Sequence, residues 1–132
     1  MKRTIAVAAF AALALTGLVT MARAQDPAPD ARILAYDKGI SKIDVSKYPA
    51  EIKGTYSLFT VKCGKCHTIA RAINCEFALP DEWDRYVKRM MRRAGDFITA
   101  DDAKKLTDFL AYDSKTRKKA LYDKKMANPP QH

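Results

Sequence analysis

Apolar side chains recur at helical spacing in three stretches of the chain, and each stretch carries its own start or stop signal. After Pro49, a residue suited to a first helical position, Ile52, Tyr56 and Phe59 fall on one face, which predicts a helix running toward Cys63. Gly54 lies near that face, where a glycine weakens a helix, so it predicts close approach by another backbone. Pro80 opens a second helix with Asp81, Glu82 and Asp84 in its first turn, where the helix dipole favours acids. Trp83, Tyr86, Val87 and Met90 form its apolar stripe. Gly95 to Ile98 make a break, and Thr99 with Asp102 resembles a capping box for a third helix carrying Ala103, Leu106, Phe109 and Leu110. No β-rich run intervenes. The pattern predicts an all-α domain over residues 49–113.

The flanks read differently. Residues 1–24 have the form of an export signal: Lys2 and Arg3, an apolar run from Ile5 to Val19, then Ala22-Arg23-Ala24 as a cleavage site. Of 132 residues, cleavage after Ala24 leaves 108, enough for one domain with a modest core. A retained N-terminal anchor is the alternative. In residues 25–48, Ile33, Leu34, Tyr36, Ile40, Ile43 and Val45 follow no single period, so this segment reads as an arm packed along the domain surface. Residues 114–132 form a basic extension, with Lys115, Arg117, Lys118 and Lys119 ahead of Leu121 and Tyr122. Two readings stand for it: a helical extension folding back on Leu121 and Tyr122, or a docking surface for an acidic partner or anionic lipid.

Charge narrows the partners. Losing Lys2, Arg3 and Arg23 with the leader lowers the formal charge from +9 to +6, still basic. Such a field favours acidic surfaces and raises association rates at low salt. Nucleic acid is not expected, because an exported protein rarely meets it.

The candidate chemistry is concentrated in Cys63-Gly64-Lys65-Cys66-His67. This spacing lets one turn present two sulfurs to the two vinyl groups of a haem while the adjacent imidazole reaches the iron. Two rivals share these residues. A thioredoxin-like dithiol needs a strand before it and an alternating β/α pattern, whereas a helix is predicted here. A zinc site using Cys63, Cys66, His67 and Cys75 would crowd three ligands into one turn, unlike the usual two separated pairs. The haem reading is therefore favoured, and it leaves Cys75 as a small buried side chain or a thiol for intermolecular pairing.

The pentapeptide and the helices around it resemble the monohaem class I c-type cytochromes of bacteria, over roughly residues 49–113. The resemblance implies three main helices around one covalent haem c, with the C-terminal helical extension a departure from the minimal pattern. It implies that Cys63 and Cys66 form the thioethers and His67 an axial ligand. Trp83, Val87, Met90 and Gly95 resemble a run in which the methionine is the other axial ligand, with Trp83 and Val87 as candidates to pack on the haem. Met91 is the alternative. At about 100° per residue, Met90 lies about 20° from Trp83 on the helix and Met91 about 80° on the other side, which favours Met90. Gly54 and Phe59 resemble the pair where the family's first helix crosses its last. By similarity to the family's proline-bearing loop, the backbone near Pro80 is the candidate acceptor for the second ring N–H of His67. His132, at the C-terminus, is not expected on iron.

These implications give a periplasmic single-electron carrier and not an enzyme, because iron ligated on both sides offers no open position to a substrate. Its expected partners are acidic-surfaced redox proteins, with peripheral association to an anionic membrane or membrane redox complex also open. The alternatives are an electron-entry subunit of such a complex and, if neither methionine binds, an open-site sensor or peroxidase-like protein.

Overall fold

The computed structural model describes residues 28 and 30–129. The leader and His132 lie outside the described residues. Six α-helices are present among the described residues and no strand: α1 (Ala31–Asp37), α2 (Ala50–Cys63), α3 (Ala70–Asn74), α4 (Pro80–Ala94), α5 (Ala100–Arg117) and α6 (Lys119–Ala127), with a 3-10 turn at Gly95–Phe97. The all-α expectation holds, and α2, α4 and α5 begin where their sequence signals lie. Pro49 precedes α2, Pro80 occupies the first turn of α4, and Thr99 and Asp102 cap α5 reciprocally at 3.1 and 3.0 Å. Gly95 ends α4 with φ +58°, a left-handed conformation that glycine adopts without the steric cost of a side chain.

Helix α5 is the hub, packing against α2, α4 and α6. Its contact with α2 is aromatic: Phe59 and Phe109 are fully buried with ring centroids 5.2 Å apart, and Tyr56 lies 5.9 Å from Phe109. Gly54 does not serve this contact. A Cβ placed there would meet nothing within 4 Å, so the close approach expected of it is absent; the large rings hold the helices apart. On the other side, the Trp83 indole donates to Ser114 Oγ at 2.9 Å from a fully buried position, while Leu106 and Leu110 complete the core.

Three segments carry more structure than their patterns predict. The arm contains α1, packed on α3, and buries Ile43 and Tyr48. Residues 68–79 include α3. Helix α5 continues through residue 113 to Arg117, because Asp113, only 1 % exposed, accepts from Tyr48 Oη at 2.9 Å and from Arg117 Nε and Nη2 at 3.0 and 2.6 Å. The tail then folds back. Lys118 Nζ donates to the Cys75 and Phe77 carbonyls, Lys125 Nζ reaches the Glu76 carbonyl and Glu82 Oε1, and Leu121 and Tyr122 are half-buried. Arg117 and Lys118 therefore face inward and fasten the tail, whereas Lys119 pairs with Asp123 at 2.7 Å on the surface and Lys115 is exposed.

Candidate functional site

Helix α2 delivers Cys63 as its last residue, and Gly64 caps it by donating to the Thr60 carbonyl at 3.2 Å. The turn that follows carries Cys66 and His67 and is clamped, with the end of α2, onto the 3-10 turn after α4 and the start of α5. Lys65 Nζ lies 3.8 Å from the Phe97 ring centroid, and Lys62 Nζ donates to the Phe97 carbonyl at 2.5 Å and pairs with Asp102 at 2.9 Å. The Thr99 amide first, and then the Lys62 ammonium, hold the Asp102 carboxyl down to about 2.

A cavity of about 300 Å³ opens beside this turn, at the lower end of the size range of small-molecule sites. Its walls bring together Cys63, Cys66, His67 and Met90, residues singled out in the sequence from two separate stretches. Ala94 and Ile98 supply apolar surface, Tyr86 a buried ring, and Lys62, Arg71 and Arg93 cationic edges. Met91 turns elsewhere, to hollows lined by Val87, Ala100 and Ala103 between α4 and α5. One residue along a helix is about 100° of rotation, and here that step separates the two methionines between different hollows.

Trp83 and Val87 are not among the cavity's walls. Both sit in the core, and Trp83 touches Tyr86 edge-on at 5.6 Å. Tyr86 takes the position expected of them. Burial first, then the nearby Cys63 and Cys75 sulfurs, raises its phenol well above the usual range. Its hydroxyl bonds no other described residue and is open to the cavity.

His67 Nδ1 lies 3.0 Å from the Thr68 carbonyl oxygen. A carbonyl only accepts, so Nδ1 is the donor in this contact, and it is Nε2 that is left for a metal. The acceptor is thus Thr68, next in the chain, and not the backbone near Pro80. Pro80 and its neighbours instead serve α4, whose N-terminus is capped by Glu82 Oε2 accepting from Ala78 and Leu79 N–H at 2.9 and 3.0 Å.

No family model, no curated protein and no solved structure matches the chain.

The two sulfur-based rivals meet opposing geometry. Burial pushes the Cys63 thiol up to about 12, where a redox dithiol needs a lowered value, and a helix rather than a strand leads into it. Cys75 is buried with its Sγ directed at the Ala72 carbonyl, 3.3 Å away, and no group of three or more His, Cys, Asp or Glu side chains among the described residues is placed to hold a metal ion. The donor chemistry of the cavity's walls would suit a metal-bearing prosthetic group with an apolar body and acidic edges. Two thiols and an imidazole come from the end of α2 and the turn after it and a thioether from α4, while the unpartnered Tyr86 hydroxyl and the exposed Arg93, which forms no ion pair with a described residue, could meet acidic substituents. Lys62, Arg71 and Arg93 carried no site assignment from sequence. Their signal was spacing: Lys62 precedes Cys63, Arg71 follows His67 by four residues, and Arg93 follows Met90 by three residues.

Proposed function

We propose that the chain is an exported, periplasmic single-electron carrier bearing one covalently attached haem c, with an arrangement like that of class I cytochromes c. The observation that carries this reading is the convergence of Cys63, Cys66, His67 and Met90 on one cavity while Met91 faces away from it. A bound haem would supply reversible one-electron chemistry at its iron. The chain's own residues do the rest. Cys63 and Cys66 would hold the group by thioether bonds. His67, with Nδ1 committed to Thr68, would offer Nε2 to its iron, and Met90 would offer a soft neutral sulfur, a donor that favours the reduced state.

Rigidity suits this role. The Lys62–Asp102 pair joins the end of α2 to the start of α5, and the Lys65–Phe97 contact joins the Cys66–His67 turn to the 3-10 turn that follows the helix carrying Met90, which braces the segments around the cavity. Acidic-surfaced redox proteins are the partners the basic charge favours. No helix among the described residues is long and apolar enough to cross a membrane.

Visible absorption of haem-loaded protein, made with periplasmic attachment machinery, tests the ligand set. The methionine-to-iron band should be present in the wild type, absent in Met90→Ala and retained in Met91→Ala. A band lost only in Met91→Ala would reverse the ligand assignment. Open-site spectra in the wild type, with rapid carbon monoxide binding, would replace the carrier by a sensor-like protein.

A further inference from the structure

A three-helix carrier does not require an N-terminal arm, yet this arm is fastened to the segment that follows His67. Asp37, the last residue of α1, accepts from Arg71 Nε at 3.0 Å and from Arg71 Nη2 at 2.6 Å. It also accepts, at 3.5 Å, from the hydroxyl of Thr68, whose carbonyl in turn takes the ring proton of His67. Arg71 is itself part of the cavity wall. The side chains of the pair are 28 % and 19 % exposed, where a bidentate contact is screened less than on an open surface.

The arm's seat is specific. Asn74 Nδ2 donates to the Tyr36 and Ile40 carbonyls at 3.1 and 2.9 Å, bridging the turn after α1. Gly39 lies so close that a Cβ would fall 2.3 Å from the Asn74 side chain, so only glycine lets the turn approach. Tyr36 Oη donates to Glu76 beyond the other end of α3. Asp37 is thus held from both sides in a place where it neutralises one cation of the cavity wall.

We propose that Asp37 is a positioning residue of the haem site: through Arg71 and Thr68 it fixes the turn carrying His67 and sets the net charge beside the iron. This rests on the electron-carrier reading. It assigns to the arm a role in setting the reduction potential, and the sign of that role can be read directly.

The test is the midpoint potential of four haem-loaded full-length variants. Asp37→Asn leaves Arg71 uncompensated, and a positive charge favours the reduced state, so the potential should rise. Arg71→Gln leaves the carboxylate uncompensated, so it should fall. Each shift should reach at least about threefold in the reduction equilibrium constant, or about 28 mV at about 59 mV per tenfold for one electron. The double variant should return toward wild type, and Asp37→Glu should stay there. Loosening of the turn alone would move both single variants in one direction, so shifts of the same sign would keep the positioning role and overturn the charge role, and no shift in either variant would overturn the proposal whole. Should the wild-type chain take up no haem, the carrier reading fails by itself. Amide exchange of the haem-free chain at Arg71, Ile73 and Cys75 then decides the arm's role: faster exchange in Asp37→Asn, restored in Asp37→Glu, supports positioning, and unchanged exchange rejects it.

Discussion

The α5–α6 junction and the cavity beside Cys63 are both rich in polar and charged groups, but they treat them in opposite ways. At the junction nearly every such group is matched. Asp113 serves Tyr48 and Arg117, Lys118 serves two carbonyls, and Lys125 serves Glu82 and the Glu76 carbonyl. At the cavity the Tyr86 hydroxyl and Arg93 have no partner among the described residues, and Cys63, Cys66 and Met90 line the same open space. Satisfied groups hold a fold together, whereas convergent groups left over beside a hollow mark what a ligand would complete. Two members of the basic cluster, Arg117 and Lys118, thus serve the fold, and the quieter cavity is where chemistry is expected.

Replacing a member of the satisfied set should have the largest effect on stability. Glu82 caps α4 through two amides and pairs with Lys125 at 2.5 Å, with side chains only 8 % and 18 % exposed. Glu82→Ala should destabilise the fold by about 3 kcal/mol in urea unfolding, since it strands a cation and two N–H groups. A loss under about 1 kcal/mol would mean that the junction is a loose surface contact.

Acid should expose the same difference more gradually. Burial opposes ionisation of Glu82, but the Leu79 amide, Lys125 and the Ala78 amide outweigh it, so its folded value lies below the ordinary 4.5. Asp102 falls from 3.8 to about 2. A depressed carboxyl contributes stability above its unfolded value and loses it as pH falls through the folded value. Thermal midpoints should hold above pH 4.5 and decline progressively toward pH 2. Glu82→Gln should flatten the upper part of that decline and Asp102→Asn the lower part.

The first helix offers a smaller, opposite effect. Gly54 is exposed in the interior of α2 with open space at its Cβ, so Gly54→Ala should stabilise by about 1 kcal/mol, read from the shift in urea midpoint. Destabilisation would show that another backbone does approach there. Smallest of all should be Tyr86→Phe, which removes a hydroxyl with no protein partner and should change the stability of the haem-free chain by less than about 0.5 kcal/mol. A larger loss would place Tyr86 with the matched groups and not with the leftover ones.

The same contrast explains what could be read before the fold was known. Pro49, Pro80, Gly95 and the Thr99–Asp102 pair act within a few residues of themselves, so the ends of α2, α4 and α5 were legible. The Cys63–His67 spacing and the phase of Met90 are likewise local. What escaped depends on distant partners. Helix α3 and the helix within the arm are fixed by Asn74 and by the Asp37–Arg71 pair; the fold-back of the helical tail was legible from Leu121 and Tyr122, but not its anchors, Lys118 and Lys125. Gly54 and Pro80 misled for the same reason. A glycine's packing and a histidine's acceptor are decided by what the chain brings near them, and here nothing approaches Gly54 while Thr68 supplies the carbonyl.

The central claim is that Cys63 and Cys66 bind a haem covalently, and the intact mass of protein made with periplasmic haem-attachment machinery and then denatured tests it most directly. The account predicts a chain heavier by one haem, with the addition lost in the Cys63→Ser/Cys66→Ser double variant and kept in Cys75→Ser. An unmodified mass for the wild type, under conditions that load a monohaem control protein, would contradict it.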